Sequence, residues 1–424
     1  MPRREIIRPE GMPIPHPSFT PALRYGNWLF TSGLMATDFA TGIAPEARGN
    51  PAVPLAGEHA MVRESRHLLD LLERACIAGG TDLQNSVRID QFPTSREMVD
   101  PYHIERRVRI APPRPASTSV VIEGLMVPAC NTEVELLAII PEGDFVKEGV
   151  FTGRIPAPLG GYAPAIRAGD FVFLAGQVPS DFRTGLASEA KVHPEFWEGN
   201  AIDKQTRYTL DNIAITLEAA GSCMANVVHV GVYLTDMDDL PRLDRVWREY
   251  FPENPPARSI FPVNSIVVPD ARIEITVVAL RDGGTTQKQV IHTARAPDPL
   301  FHESQAVRAG DFLFVSNQLA ADAGGLVASA RINPEYPYAR NSSGEQIRVI
   351  LENAAAICAE AGTELRHTLR MTTLHTDLRD YASSVSVRRG YFPDGQPTTT
   401  TLGVRGPLQV PGCIVSVAFW VGYP

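Results

Sequence analysis

Apolar and polar positions follow a pattern that recurs three times along the chain. In the middle third, Ala165-Ile166-Arg167 and Phe171-Val172-Phe173-Leu174-Ala175-Gly176-Gln177 flank Ala168-Gly169-Asp170, which predicts a hairpin. A long loop follows, from Asp181 to Gly199. Leu210, Ile213, Leu217 and Ala220 then fall at steps of three and four, one face of a helix over 203–220. Gly221 stands where a helix commonly ends in the left-handed conformation. Val227 to Leu234 is rich in β-branched residues and reads as a strand. A second helix is expected over 239–250, and two more strands near 258–267 and 271–280. Strands mixed with two helices give an α+β layer with the helices on one face of the sheet.

The same pattern returns at nearly constant spacing. Arg167-Ala168-Gly169-Asp170-Phe171 reappears 141 residues later as Arg308-Ala309-Gly310-Asp311-Phe312. A weaker copy, Arg24-Tyr25-Gly26-Asn27-Trp28, stands 143 residues earlier. Leu69, Leu72, Cys76 and Gly79 repeat the helix face in the first copy, and Leu351, Ala354, Cys358 and Ala361 in the third. Tyr250-Phe251-Pro252 becomes Tyr391-Phe392-Pro393. Self-similarity in so many registers predicts three tandem domains, 1–148, 149–290 and 291–424, joined by the Gly/Pro-bearing stretches at 141–160 and 281–300. Each sheet has a second face to bury. Three copies in one chain can bury these faces against each other around a pseudo-threefold axis.

Length agrees with this division, since 424 residues suit about three domains. A net charge of −9 disfavours a phosphate-backbone partner, whose binding depends on Lys/Arg neutralisation. Cys76, Cys130, Cys223, Cys358 and Cys413 are scattered and form no C-x-x-C pair, so neither a disulfide framework nor a zinc site is expected. They read as reduced thiols of a cytoplasmic protein. The stretch Met1 to Gly11 lacks an apolar signal-peptide core, and no apolar run is long enough to span a membrane. There is no phosphate-binding loop, dinucleotide fingerprint or nucleophile elbow. The histidines form no metal-spaced cluster. Among them, His193 in the long loop is the one to watch. His229 has Arg88 and Arg370 as equivalents, and a polar strand position facing solvent, or the wall of a central cavity, suits it better than catalysis.

Particular motifs carry a family likeness. Phe173-Leu174-Ala175-Gly176-Gln177-Val178-Pro179, then Thr184-Gly185, Gln205, Asn212, Pro256-Ala257-Arg258-Ser259, Val268-Pro269 and Ile273-Glu274-Ile275 together resemble the RidA/YjgF family of imine and enamine deaminases. The match covers most of residues 156–281. The resemblance implies a chorismate-mutase-like α+β domain and a trimeric arrangement with clefts between neighbours. It also implies Arg258 as the grip on a substrate carboxylate and Glu274 near the attacking water. Ser259, Ile260, Tyr162, Gly176 and Gln177 would line the same cleft. The chemistry fits these residue types. A guanidinium meets a carboxylate with two parallel bonds, and an enclosed carboxylate can serve as general base. No metal or cofactor is needed, because an imine is already electrophilic.

The outer copies depart from this pattern. Arg258 maps to Ser117 in the first and, anchoring on Val410-Pro411, to Thr400 in the third. Glu274 maps to Glu133 and Ser416, Gly176 becomes Asn317 in the third copy, and Gln177 becomes Leu34 in the first. One main cleft around Arg258 is therefore expected, completed by a neighbouring copy, with Glu133, His302 or Glu303 as lenders. The expected activity is hydrolytic deamination of a small carboxylated imine, enamine or amino-diene acid, like 2-aminoacrylate or 2-aminomuconate. The alternatives are a specialised hydrolase of a cyclic or aromatic-derived acid and a non-catalytic carboxylate binder. A ribonuclease is disfavoured by the charge. No nucleic-acid or membrane partner is expected, and the assembly should be a monomeric pseudo-trimer or a homodimer.

Overall fold

The hairpin, the two helices and the remaining strands assemble into one layered unit, built three times. The computed structural model describes every residue except 1, 51, 54, 55, 194, 196–199, 332–334, 336–341 and 424. In the middle repeat, Ala165–Ala168 and Phe171–Gln177 pair antiparallel around Gly169, whose φ of 56° favours glycine. Ile273–Leu280 lies between Phe171–Gln177 and Val227–Leu234, antiparallel to both. Ala257–Pro262 joins parallel to Val227–Leu234 through the helix Leu240–Tyr250, the crossover that a parallel pair requires. The helix Ala201–Ala219 covers the same sheet face. Leu210, Ile213 and Leu217 pack there with Val230, Val277 and Trp247, all essentially without solvent contact. Each such aliphatic side chain contributes about 1.5–3 kcal/mol on burial.

The first repeat uses helices Ala60–Ala78 and Val99–Arg109, the third Ser342–Glu360 and Tyr381–Arg388. No helix among the described residues is long and apolar enough to cross a membrane. Two expectations change in detail. The stretch 258–267 is two strands, Ala257–Pro262 and Ser265–Ile266. The joints are not plain linkers, because Lys147–Val150 and Lys288–Ile291 each add an edge strand to the sheet that follows.

The other sheet faces meet at the centre. Trp28, Phe30, Phe171, Phe173, Phe312 and Phe314, two from each repeat, share one buried cluster. Trp28 meets Phe171 at 5.7 Å and 89°, and Phe312 at 5.6 Å and 76°, edge-to-face contacts that aromatic quadrupoles favour. Deeper on this axis, Arg88, His229 and Arg370 line a cavity of about 40 Å³. Arg88 pairs with Asp90 at 2.7 Å and Arg370 with Glu135, while His229 Nε2 lies 3.0 Å from Ser259 Oγ. Burial and the two arginines push His229 down to about 3, so it is neutral.

Neighbouring repeats also exchange backbone bonds. Ser265–Ile266 pairs with Ala116–Val121 of the first sheet, and Gly124–Leu125 pairs with Thr398–Gly403 of the third. The corresponding residues of the third repeat are Gly406 and Pro407, and Pro407 has no N–H to offer. Among the described residues the seam between the second and third repeats lacks this stitch.

Candidate active site

Strand register fixes which residues are equivalent. Ala116, Ala257 and Thr398 lie opposite Arg88, His229 and Arg370, so Ser117, Arg258 and Thr399 occupy one structural position. Thr399, not Thr400, is thus the third-repeat counterpart of Arg258. The loop before Val415 carries one extra residue, which displaced the alignment based on Val410-Pro411. Glu133, Glu274 and Ser416 face Phe92, Tyr233 and Leu374 and are likewise equivalent. Each cleft takes its strand-position residue from one repeat and its Gly/Glu pair from the next. Arg258 and Glu274, though both from the middle repeat, therefore belong to different clefts.

Arg258 faces the third repeat and is wholly buried. Its Nη2 donates to Asp244 Oδ1 at 2.8 Å and its Nε to Glu303 Oε2 at 2.8 Å. Its guanidinium carbon stands 5.1 Å from the centre of the Trp247 ring. Of its guanidinium nitrogens, Nη1 alone lacks a hydrogen-bond partner among the described residues. Glu303, one of the expected lenders, occupies the position that Tyr162 holds in the middle repeat. His302, another, donates its backbone N–H to Asp244 at 3.0 Å and its ring nitrogen meets the Phe251 carbonyl. On the third-repeat side, Asn317 donates to Ser416 Oγ at 2.8 Å and to the Ile260 carbonyl at 3.1 Å, filling the place of a Gly/Glu pair. The remaining space is about 50 Å³, lined in part by Ile260 and Glu303.

The cleft between the first and second repeats is different. It encloses about 360 Å³ and is lined by Tyr162, Gly176 and Glu274 from the second repeat and His103, Ser117 and Ser119 from the first. The Glu274 carboxylate lies against Gly176 so closely that a Cβ there would overlap it, which explains the glycine. Burial pushes the Glu274 carboxyl up to about 8, opposed by the Thr118 hydroxyl and Arg88 and reinforced by Asp90. Tyr162 is raised by burial and by Glu274, against the pull of Arg106.

Arg106 was not anticipated. It stands on the helix Val99–Arg109 at the place Trp247 holds in the middle repeat, and it donates Nη1 to Ser117 Oγ. Among the described residues its Nε and Nη2 have no hydrogen-bond partner, its guanidinium carbon stands 5.5 Å from the centre of the Tyr102 ring, and burial lowers its pKa. Where the strand arginine shrinks to serine, a helix arginine stands behind it. A helix-by-helix comparison of Arg106, Trp247 and Arg388 was the available signal. Accepting from Arg106 leaves the Ser117 hydroxyl free to donate into the cleft. Ser119 donates to Gln91 Oε1 at 2.9 Å, so His103 Nε2, 3.1 Å from Ser119 Oγ, carries the proton and Nδ1 is the acceptor. Burial and the charges of Arg106 and Arg107 push His103 down to about 3. Exposed Arg107 and Arg183 also line this cleft.

The other expected residues lie elsewhere. Ser259 faces the axial cavity with His229, and Ile260 lines the narrow second/third seam. Gln177 is buried at the strand irregularity and reaches the Ala175 carbonyl at 3.4 Å, outside the lining of the open cleft. His193 is exposed, with Nδ1 accepting the Glu195 N–H at 3.2 Å. Gln205 holds the loop backbone, accepting from Arg272 at 2.7 Å and donating to Asp270 at 3.1 Å.

The endoribonuclease L-PSP family model matches residues 152–281 and 293–413, more than half of the chain. The chain belongs to the RidA/L-PSP family. The first repeat lies outside that match, in keeping with its weaker motifs. A RutC family protein of Pyrococcus horikoshii is 42% identical over 137 residues, 32% of this chain and 100% of the relative. The 3-aminoacrylate deaminase RutC of Acinetobacter baylyi is 37% identical over 31% of this chain and 97% of its own. The chloroplastic Reactive Intermediate Deaminase A of Arabidopsis thaliana is 33% identical over 31% of this chain and 65% of its own. Among solved structures, RidA from an Antarctic Psychrobacter is 27% identical, covering 32% of this chain and 98% of that one, with a TM-score of 0.26. Each of the two RutC relatives, matched over nearly its whole length, corresponds in length to about one of the three repeats.

Proposed function

We propose that the protein is a hydrolytic deaminase of a small carboxylated imine or enamine, working in the cleft between the first and second repeats. The observation that carries this reading is Glu274, a buried carboxyl in the lining of a 360 Å³ cleft, against Gly176 and raised to about 8. At neutral pH it is mostly protonated and can give its proton to the enamine, producing the electrophilic iminium. The carboxylate left behind then accepts a proton from the attacking water. Collapse of the carbinolamine expels ammonia and leaves a carbonyl. Ser117, oriented by Arg106, offers its hydroxyl to the substrate carboxylate, and Arg107 and Arg183 add positive charge at the mouth. Arg107 and Arg183 are the cationic residues of the lining, and they suit a carboxylated substrate of the 2-aminoacrylate or 2-aminomuconate kind.

The relatives named as deaminases support this class of chemistry. The test is ammonia release from enzymatically generated 2-aminoacrylate and 2-aminomuconate, comparing the wild type with Glu274→Gln. Accelerated release lost in the variant supports the reading. No acceleration on either substrate, with carboxylates still binding, turns it toward a non-catalytic binder.

A further inference from the structure

The third cleft, between the third and first repeats, repeats part of the open site with different walls. Gly33 and Glu133 stand as Gly176 and Glu274 do, and a Cβ at Gly33 would again overlap the carboxylate. Burial and Glu135 push Glu133 well above the ordinary carboxylate range, against a bond from the Thr401 backbone. Thr399 takes the strand position, and Arg388 comes from the helix, as Arg106 does in the first repeat. Unlike Arg106, Arg388 itself lines the cavity, which holds about 150 Å³. It is 3% exposed, its Nε and Nη1 have no hydrogen-bond partner, and no ion pair holds it among the described residues. The opposing wall is apolar, formed by Phe19, Met35, Phe39, Met126 and Val127. Phe19 stands where the open cleft has Tyr162.

A buried guanidinium without a counter-charge costs stability, and such a group is ordinarily paired. The sealed seam displays the pairing this fold can provide, since Glu303 and Asp244 fill the same need at Arg258. Among the described residues no carboxylate meets Arg388, whose guanidinium carbon stands instead 5.8 Å from the centre of the Tyr381 ring.

We propose that this cavity is a second ligand site, for a small monocarboxylate with an apolar or aromatic body. Arg388 receives the carboxylate, the neutral Glu133 carboxyl supplies a hydrogen bond, and the Phe/Met wall encloses the body. The site stands whichever cleft turns substrate over, so its failure and that of the deaminase reading are separate results.

The probe is 4-fluorobenzoate added to the full chain labelled with carbon-13 at its methionine methyls. The Met35 and Met126 signals should shift and saturate, and the melting temperature should rise with ligand. In Arg388→Met the affinity should fall at least about tenfold, the loss expected for a charged hydrogen bond to a carboxylate. The ligand-free melting temperature of that variant should rise, because an unpaired buried charge is gone. A purely structural arginine would lower it. Val127→Trp, which fills the cavity, should abolish the shifts and serves if Arg388→Met does not fold. Methionine signals that stay still in the wild type up to about 10 mM, beyond the millimolar end of specific binding, would overturn the proposal. So would undiminished affinity in either variant.

Discussion

The seam holding Arg258 and the cleft holding Glu274 descend from the same structural position, yet they have opposite characters. At Arg258 the chain supplies its own carboxylates, Asp244 and Glu303, each 2.8 Å away, and leaves about 50 Å³. At Glu274 the strand arginine is gone, Ser117 opens the space, and about 360 Å³ remains. A complete motif in one repeat does not make a complete site when the site is shared between repeats. What counts is what the neighbour contributes: Glu303 and Asn317 close one cleft, and Arg106 with Ser117 furnish the other.

The comparison can be broken most severely at Glu274. Replacing it by Gln should lower kcat by about 10²–10⁴, the range for losing a general acid-base group. Steady-state ammonia release with an intact fold by circular dichroism would measure this. Arg258→Ala should act on stability instead. It strands two buried carboxylates, a loss of about 3–5 kcal/mol, visible in urea unfolding while the folded fraction keeps its KM.

Dependence on pH sharpens the contrast further. The folded-state value of Glu274, about 8, lies above the ordinary 4.5, so the folded protein holds a proton that the unfolded chain releases. This contribution is fully present below about 4.5 and is lost as pH rises through about 8. Melting temperature should therefore fall over that window, and less steeply in Glu274→Gln. Turnover, which starts from the protonated form, should decline above about 8. The smallest effect belongs to Ser117→Ala, where loss of one hydroxyl contact should raise KM several-fold, about 1 kcal/mol, with kcat little changed.

Much of the fold was legible because hydrophobic period and turn glycines agree in each repeat. Leu210, Ile213 and Leu217 and the Gly169 turn mark their elements without ambiguity. The edge strands Lys147–Val150 and Lys288–Ile291 were not, since they are short, carry polar residues and are held by pairing rather than by a buried face. Glu274, Tyr162 and Gly176 could be read from motif and do share a cleft. Arg258 could be read too, but not its partners, which come from a helix and from the next repeat. Arg106 was missed because the guanidinium changed elements. A strand motif cannot report a charge that has moved to a helix 11 residues before Ser117.

The most direct measurement removes the whole Arg258 cluster at once. Exchanging a buried charge group for neutral residues of similar volume is often tolerated, so Arg258→Met combined with Asp244→Asn and Glu303→Gln should fold. Ammonia release by this triple variant on 2-aminomuconate should match the wild type within about twofold, against the loss of about 10²-fold or more in Glu274→Gln. A folded triple variant that loses activity while Glu274→Gln retains it would place the chemistry at Arg258 and contradict the account.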